Sequence, residues 1–373
     1  MAGRLVVPKT YKLYIGGAFP RSESGRTYEI TTAKGAFLAN AAQASRKDAR
    51  DAVVAARAAQ SGWANATAYN RGQVLYRIAE LLEGRHAQFV DELRASEGLS
   101  AAAAAKQVDD AIDTWVWYAG WTDKFAQVAG SGNPVAGPYF NLSVPEPTGV
   151  VAIVAPQGAA TQKPSSLLGL VSVLAPALVS GNSVVVVADQ AHPLSAISLA
   201  EVLATSDVPG GVVNILTGSP AEIAPWLASH ADVNALDLTG AGELEWVDLQ
   251  ISAADTLKRV VEPEPGVPGR SLNRILAFTE TKTVWHTKAL ILVLLCAAAP
   301  AAHPLRATFT PPRCAGPNHP SEFVDQAAEE PDPIEVGRHP DALVDGVQRL
   351  ALCRGQVEGQ EAVDGIADPA EVP

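Results

Sequence analysis

Gly149-Val150-Val151-Ala152-Ile153-Val154-Ala155 is an unbroken apolar run, rich in β-branched residues, opened by glycine and closed by Pro156. A strand with one wet face alternates apolar and polar residues. This run does not, so it is read as a strand buried on both faces, the signature of a parallel sheet covered by helices. Similar runs recur at 183–187, 212–216 and 233–238. Helical periodicity fills the intervals, around 167–179, 196–204 and 221–229. Strand and helix alternating at this spacing predict βαβ units and a Rossmann-like, doubly wound α/β sheet.

Toward the N-terminus, Lys12-Leu13-Tyr14-Ile15-Gly16-Gly17-Ala18-Phe19 reads as a short strand entering a Gly-Gly turn. Ser45 with Asp48 three residues on has capping-box spacing and opens an Ala-rich helix. A second helix starts near Asn70, with Leu75, Ile78, Leu81 and Leu82 on one face. Helical character continues through Trp115, Trp117, Tyr118 and Trp121, whose i+3 and i+4 spacing marks them as packing residues. Toward the C-terminus, Glu262-Pro263-Glu264-Pro265-Gly266-Val267-Pro268-Gly269 fits neither a helix nor a central strand. The organisation expected is therefore a domain over 1–261, a linker over 262–273, a short returning segment over 274–288 and a low-order tail over 289–373.

The tail differs from the rest in charge. The net charge is −12, and residues 289–373 hold 13 acidic and 5 basic side chains against 27 and 23 in residues 1–288. An acidic chain of this kind is a poor partner for nucleic acid or an anionic membrane. The three cysteines, Cys296, Cys314 and Cys353, all fall in the tail at spacings that suit neither a disulfide framework nor a metal site. The apolar run 289–299 is closed by Pro300 and is shorter than the ~20 residues a spanning helix needs. With no signal-peptide pattern at Met1–Lys9, the expected location is cytoplasmic. The tail has no lysine and begins abruptly after Trp285-His286, a bias that also matches a shifted reading frame. His86, His192 and His230 have no partners at ligand spacing and are read as structural or solvent-facing.

Three stretches together resemble the aldehyde dehydrogenase family: 147–156 (PTGVVAIVAP), 174–185 (LAPALVSGNSVV) and 209–218 (PGGVVNILTG), with Leu238-Thr239-Gly240 beyond them. The resemblance covers nearly all of 1–286 and implies the cofactor half of that fold, with NAD or NADP as cofactor. It carries cofactor contacts onto Ala155, Pro156 and Gln157 after the first strand, Val187 and Asp189 after the second, Gly218 after the third, and Thr239 and Gly240 after the fourth.

The departures from the family pattern bear on activity. Pro156 is followed by Gln157-Gly158 where the family has Trp-Asn, so the side chain that helps hold the oxyanion is missing. Loss of such a donor typically costs roughly 10²–10³ in rate. Val187 stands where the family has a ribose-binding lysine, and Gln190 where it has an acid, with Asp189 adjacent. Val261-Glu262-Pro263-Glu264 replaces the general-base glutamate and its Gly-Gly pair. No cysteine lies in the first 288 residues, although aldehyde oxidation in this family needs a thiolate nucleophile. The segment Phe278–Val284 resembles the strand that joins subunits, and Tyr139–Pro145 resembles the family's protruding hairpin. The resemblance thus implies a pseudoenzyme acting as a structural or regulatory subunit, in a homo-oligomer or a hetero-oligomer with a full-length aldehyde dehydrogenase. Two alternatives stay open: an NAD(P)-dependent oxidoreductase with atypical catalytic residues, and an NAD-binding module without turnover.

Overall fold

The computed structural model describes residues 9–158 and 165–288. The expected low-order tail and the three cysteines lie outside them.

The chain opens with three short strands, β1 (Thr10–Tyr11), β2 (Thr27–Thr31) and β3 (Phe37–Ala42), in the order β1-β3-β2. The expected strand at 12–19 is reduced to single bridges. Ile15 pairs with Ala18 around Gly16-Gly17, and Tyr14 exchanges both backbone hydrogen bonds with Ile215, at 3.0 and 2.7 Å. Gly17 has φ +84°, and a Cβ there would lie 2.9 Å from the Gly210 Cα, so the turn is pressed against another backbone that only glycine accommodates.

Five helices follow: α1 (Arg46–Asn65), α2 (Ala68–Gly84), α3 (His86–Glu97), α4 (Ala101–Ala119) and α5 (Phe125–Ala129). The capping box at Ser45 forms, and Asp48 also accepts from the Ser22 hydroxyl (2.8 Å) and the Glu23 N–H (3.0 Å). One buried carboxylate thereby ties the start of α1 to the preceding loop. The long helical region read from 70 to 121 is divided at Arg85 and at Gly98, which caps α3 with φ +70°. Trp115 and Tyr118 are fully buried on α4. Trp121 lies just beyond that helix and packs on Trp117, 5.6 Å between ring centroids.

Next come β4 (Ser131–Asn133) and β5 (Tyr139–Pro147), which runs almost directly into β6 (Val150–Val154). From β6 the chain alternates as expected: α6 (Ser166–Val179), β7 (Ser183–Val187), α7 (Leu194–Leu203), β8 (Val213–Leu216), α8 (Pro220–Ser229), β9 (Ala235–Asp237), α9 (Trp246–Ala254) and β10 (Arg259–Val261). These five strands form one parallel sheet in the order β10-β9-β6-β7-β8. Numbered within the sheet this is the doubly wound order, with its switch point between β6 and β9. Val151 and Ile153 face one apolar cluster with α2, α4, α6 and α7. Val150, Ala152 and Val154 face the other, with α1 and α8. Both faces are covered, which is why the sequence shows no alternation.

After β10 the chain crosses a Pro/Gly segment without regular structure and returns as α10 (Leu272–Leu276) and β11 (Thr279–Thr287). β11 pairs antiparallel with β5 over nine residues, from Thr279↔Pro147 to Thr287↔Tyr139. Asn182, 0% exposed, fastens this return. Its Oδ1 accepts from Gly149 N (2.8 Å), and its Nδ2 lies within reach of Ala177 O, Ser180 Oγ and Phe278 O.

Candidate functional site

The carboxyl ends of β6, β7, β8 and β9 converge on two adjoining cavities of about 500 and 670 Å³. Gln157, Gly240 and Glu243 line both. In open parallel sheets this end, at the switch point, is where ligands bind.

Of the residues expected from the sequence, Pro156, Gln157, Asp189, Thr239 and Gly240 line the cavities. Ala155, Val187 and Gly218 do not. Val187 is fully buried in the core on the α1 and α8 side and reaches neither cavity. Gly218 (φ +127°) passes close to Ala44 N, and the next residue, Ser219, reaches the cavity. Gly240 has a packing reason to be glycine, since a Cβ there would lie 1.8 Å from the Ala155 carbonyl oxygen. The backbones leaving β6 and β9 meet at the switch point itself.

Gln157 is committed internally. Its Nε2 donates to Ala155 O (2.6 Å) and its Oε1 accepts from Gln190 N (3.0 Å). Asp189 is 4% exposed and accepts from Gly158 N (2.7 Å) and Ala191 N (2.9 Å). Burial pushes its carboxyl above the ordinary range, opposed by the nearby His192 and by these N–H groups.

Sequence reasoning missed several lining residues. Tyr28, Glu29, Thr31 and Thr32 arrive from β2 and its turn, which belong to a different sheet. His192 lines the first cavity, and among the described residues its buried Nδ1 has no hydrogen-bond partner. The Tyr28 hydroxyl is likewise buried, with the Gly218 backbone beside it. Burial, and then the Asp189 charge, raise its pKa above the usual phenol range.

Beneath the second cavity lies a buried ion pair that no local sequence signal marks. Asp237 at the end of β9 is 0% exposed and meets the Arg274 guanidinium of α10 at 2.6 Å. Arg274 also donates to Thr239 Oγ1 (3.1 Å), while Thr239 donates its N–H (3.0 Å) and its hydroxyl (2.6 Å) to Asp237. The returning segment is thus bolted to the site end of the sheet.

Among the described residues no group of His, Cys, Asp and Glu is placed to hold a metal ion. Among them, too, no helix is long and apolar enough to cross a membrane.

The family model described as "Aldehyde dehydrogenase family" matches residues 19–262. The cytosolic 10-formyltetrahydrofolate dehydrogenase of Mus musculus is 34% identical over 269 residues, 69% of this chain and 28% of that protein. An NAD+ complex of aldehyde dehydrogenase from Bacillus cereus superposes with TM-score 0.61 at 25% identity, over 68% of this chain and 50% of that one. HpcC from Thermus thermophilus does so with TM-score 0.61 at 29% identity, over 68% and 48%. The chain therefore spans about half the length of the solved relatives and just over a quarter of the curated one.

Proposed function

The chain belongs to the aldehyde dehydrogenase family, and from that premise we propose that it is a member without turnover that serves as a structural or regulatory subunit. It pairs with itself or with a full-length aldehyde dehydrogenase. The observation carrying this reading is the sheet β11-β5-β4. β11 is its outer strand, so one edge of a nine-residue strand is unpartnered among the described residues. The register places Phe140, Leu142 and Val144 of β5 on one face with Val284 of β11, and these four are 38–50% exposed. An exposed edge beside an apolar strip is what a second chain adds to.

The reactive positions support the same reading. The first cysteine is Cys296, outside the described residues. Gln157 uses its amide oxygen and one of its amide N–H groups on the backbone of Gln190 and Ala155. Glu262 is exposed in the linker, and Glu264, also exposed, lines the second cavity with no cysteine among the described residues for it to activate. Sedimentation velocity on the full chain, alone and mixed with a full-length family member, tests the proposal. The expected result is self-association or a mixed complex that Leu142→Glu with Val284→Glu abolishes. A chain that stays monomeric and fails to enter a mixed complex overturns it.

A second reading, an NAD-binding module without turnover, is favoured by the two cavities at the switch point. The described lining carries Glu29, Asp189, Glu243 and Glu264 and no lysine or arginine, which suits an uncharged ligand better than the phosphates of NAD or NADP.

A further inference from the structure

Both cavities are lined by carboxylates and by no lysine or arginine among the described residues. Glu29, Asp189 and Glu243 line the first, and Glu243 and Glu264 the second. A dinucleotide brings two phosphates to such a crevice, and like charges at short range in a partly enclosed site repel.

Helix N-termini are the usual alternative to cations for holding phosphate. Here they are spent or absent. The first-turn N–H groups of α6 already have acceptors: Ser166 N donates to Glu97 Oε1 and Leu167 N to Gln107 Oε1, both at 3.1 Å. An internal carboxylate, 7% exposed, therefore sits where an external anion would. After Thr239-Gly240 no helix begins until Trp246. At α8 the first helical residue is Pro220, which has no N–H, and Glu222 puts negative charge in the first turn. The strand end that would supply a cation ends in Val187, turned into the core.

What the first cavity does offer is neutral hydrogen bonding. Tyr28 and His192 line it, with the Tyr28 hydroxyl and His192 Nδ1 themselves buried behind its surface. Ser219, Thr31 and Thr32 line the same space. These neutral hydroxyls suit a ligand that carries hydroxyls of its own, and they bring no positive charge to balance a phosphate.

We infer that this crevice selects an uncharged, hydroxyl-bearing ligand of nucleoside size and turns away the phosphorylated forms of the same molecule. The inference rests on the second reading above, that the crevice is a ligand site, and is independent of the assembly reading.

The test is a charge ladder by isothermal titration calorimetry on the full chain: adenosine, AMP, ADP, NAD and NADP at low and at physiological salt. Adenosine is expected to bind, with the dissociation constant rising about tenfold or more by ADP and the gap shrinking as salt screens it. Glu29→Lys with Glu243→Lys, both at exposed positions, is expected to bring ADP to within about threefold of adenosine. Binding that is flat or tightens along the ladder overturns the selection while leaving a ligand site. No binding by any member overturns both the inference and the module reading. A contribution from Lys163, in the stretch 159–164 outside the described residues, would show as preference for the phosphorylated members and would count against the inference.

Discussion

Arg274→Met removes the guanidinium but keeps much of the side-chain stem. In the variant the Asp237 carboxylate retains only the Thr239 N–H and hydroxyl, both on Oδ1, while Oδ2 loses the 2.6 Å contact that satisfies it. Asp237 is 0% exposed, so water cannot replace the lost partner without local opening. Breaking one side of a buried pair typically costs ~3–5 kcal/mol, far more than the near-zero net worth of a surface pair. At roughly 2–4 °C per kcal/mol for a domain of this size, the expected fall in Tm is about 6–20 °C. Ile275 and Phe278, both fully buried, continue to anchor the segment, so the variant folds. Urea unfolding of wild type, Arg274→Met, Asp237→Asn and the double variant gives the coupling. The double variant is expected to be more stable than the sum of the single losses implies, by ~2 kcal/mol or more. A loss under ~1 kcal/mol for Arg274→Met, or strict additivity, would refute the view that this pair bolts α10 to the sheet.

Gly240→Ala is expected to be among the most damaging small substitutions, since its methyl would sit 1.8 Å from a backbone oxygen that cannot rotate away; calorimetry should show a loss of several kcal/mol, of the order seen for overpacked cores. Asp48→Ala removes the acceptor for Ser22 Oγ, Glu23 N and Ser45 N together, and should cost ~2–3 kcal/mol against ~1 for Ser45→Ala, measured by the same urea titrations. Asp189 binds its proton more tightly folded than unfolded, because burial raises its pKa. Its contribution therefore favours the folded state on the acid side and is lost as pH rises through the folded pKa. Asp189→Asn lacks that titration, so the variant should gain on the wild type as pH is raised from mildly acidic to neutral. An unchanged stability difference across that range would contradict the shift.

The parallel sheet was legible because its strands are buried on both faces, and burial on both faces writes itself as an unbroken apolar run. Val150–Val154 and Ser183–Val187 form strands at the positions read from the sequence. Ser45 and Asp48 announced α1 through a contact three residues apart, the range at which sequence signals are strongest. The 12–19 stretch had the right extended character. Its partner was invisible, because Tyr14 is held by Ile215, far along the chain, rather than by a neighbouring hairpin strand. The short strands β2 and β3 carried no comparable signal, and β2 is largely exposed.

The site follows the same rule. Which residues end the parallel strands can be read from the alternation of elements, and Pro156, Gln157, Asp189, Thr239 and Gly240 arrive at the crevice for that reason. Whether a side chain reaches the crevice cannot be read from resemblance alone: Val187 ends β7 yet is wholly buried in the core. The charge of the crevice was hidden more deeply. Glu29 comes from β2, and the α6 N-terminus is taken by Glu97 from α3, so neither lies near the strand ends in sequence.

The crevice and the apolar strip lie toward opposite ends of β6, because the cavities sit beyond its carboxyl end while β5 leads into its amino end. Substitutions confined to one should therefore leave the other alone: Glu29→Lys with Glu243→Lys should not change sedimentation, and Leu142→Glu with Val284→Glu should not change adenosine titrations. α10 is the element that reaches both. Arg274 grips Asp237 and Thr239 at the site end, and four residues later the Phe278 carbonyl accepts from Thr148 N (3.1 Å) and from Asn182 Nδ2 (2.9 Å) where β11 begins. Arg274→Met is accordingly the one substitution among these expected to move both readouts, loosening the second cavity's floor and the strand that presents Val284. If it shifts stability but neither association nor titration, α10 is a fastening only, and the two surfaces are mechanically independent.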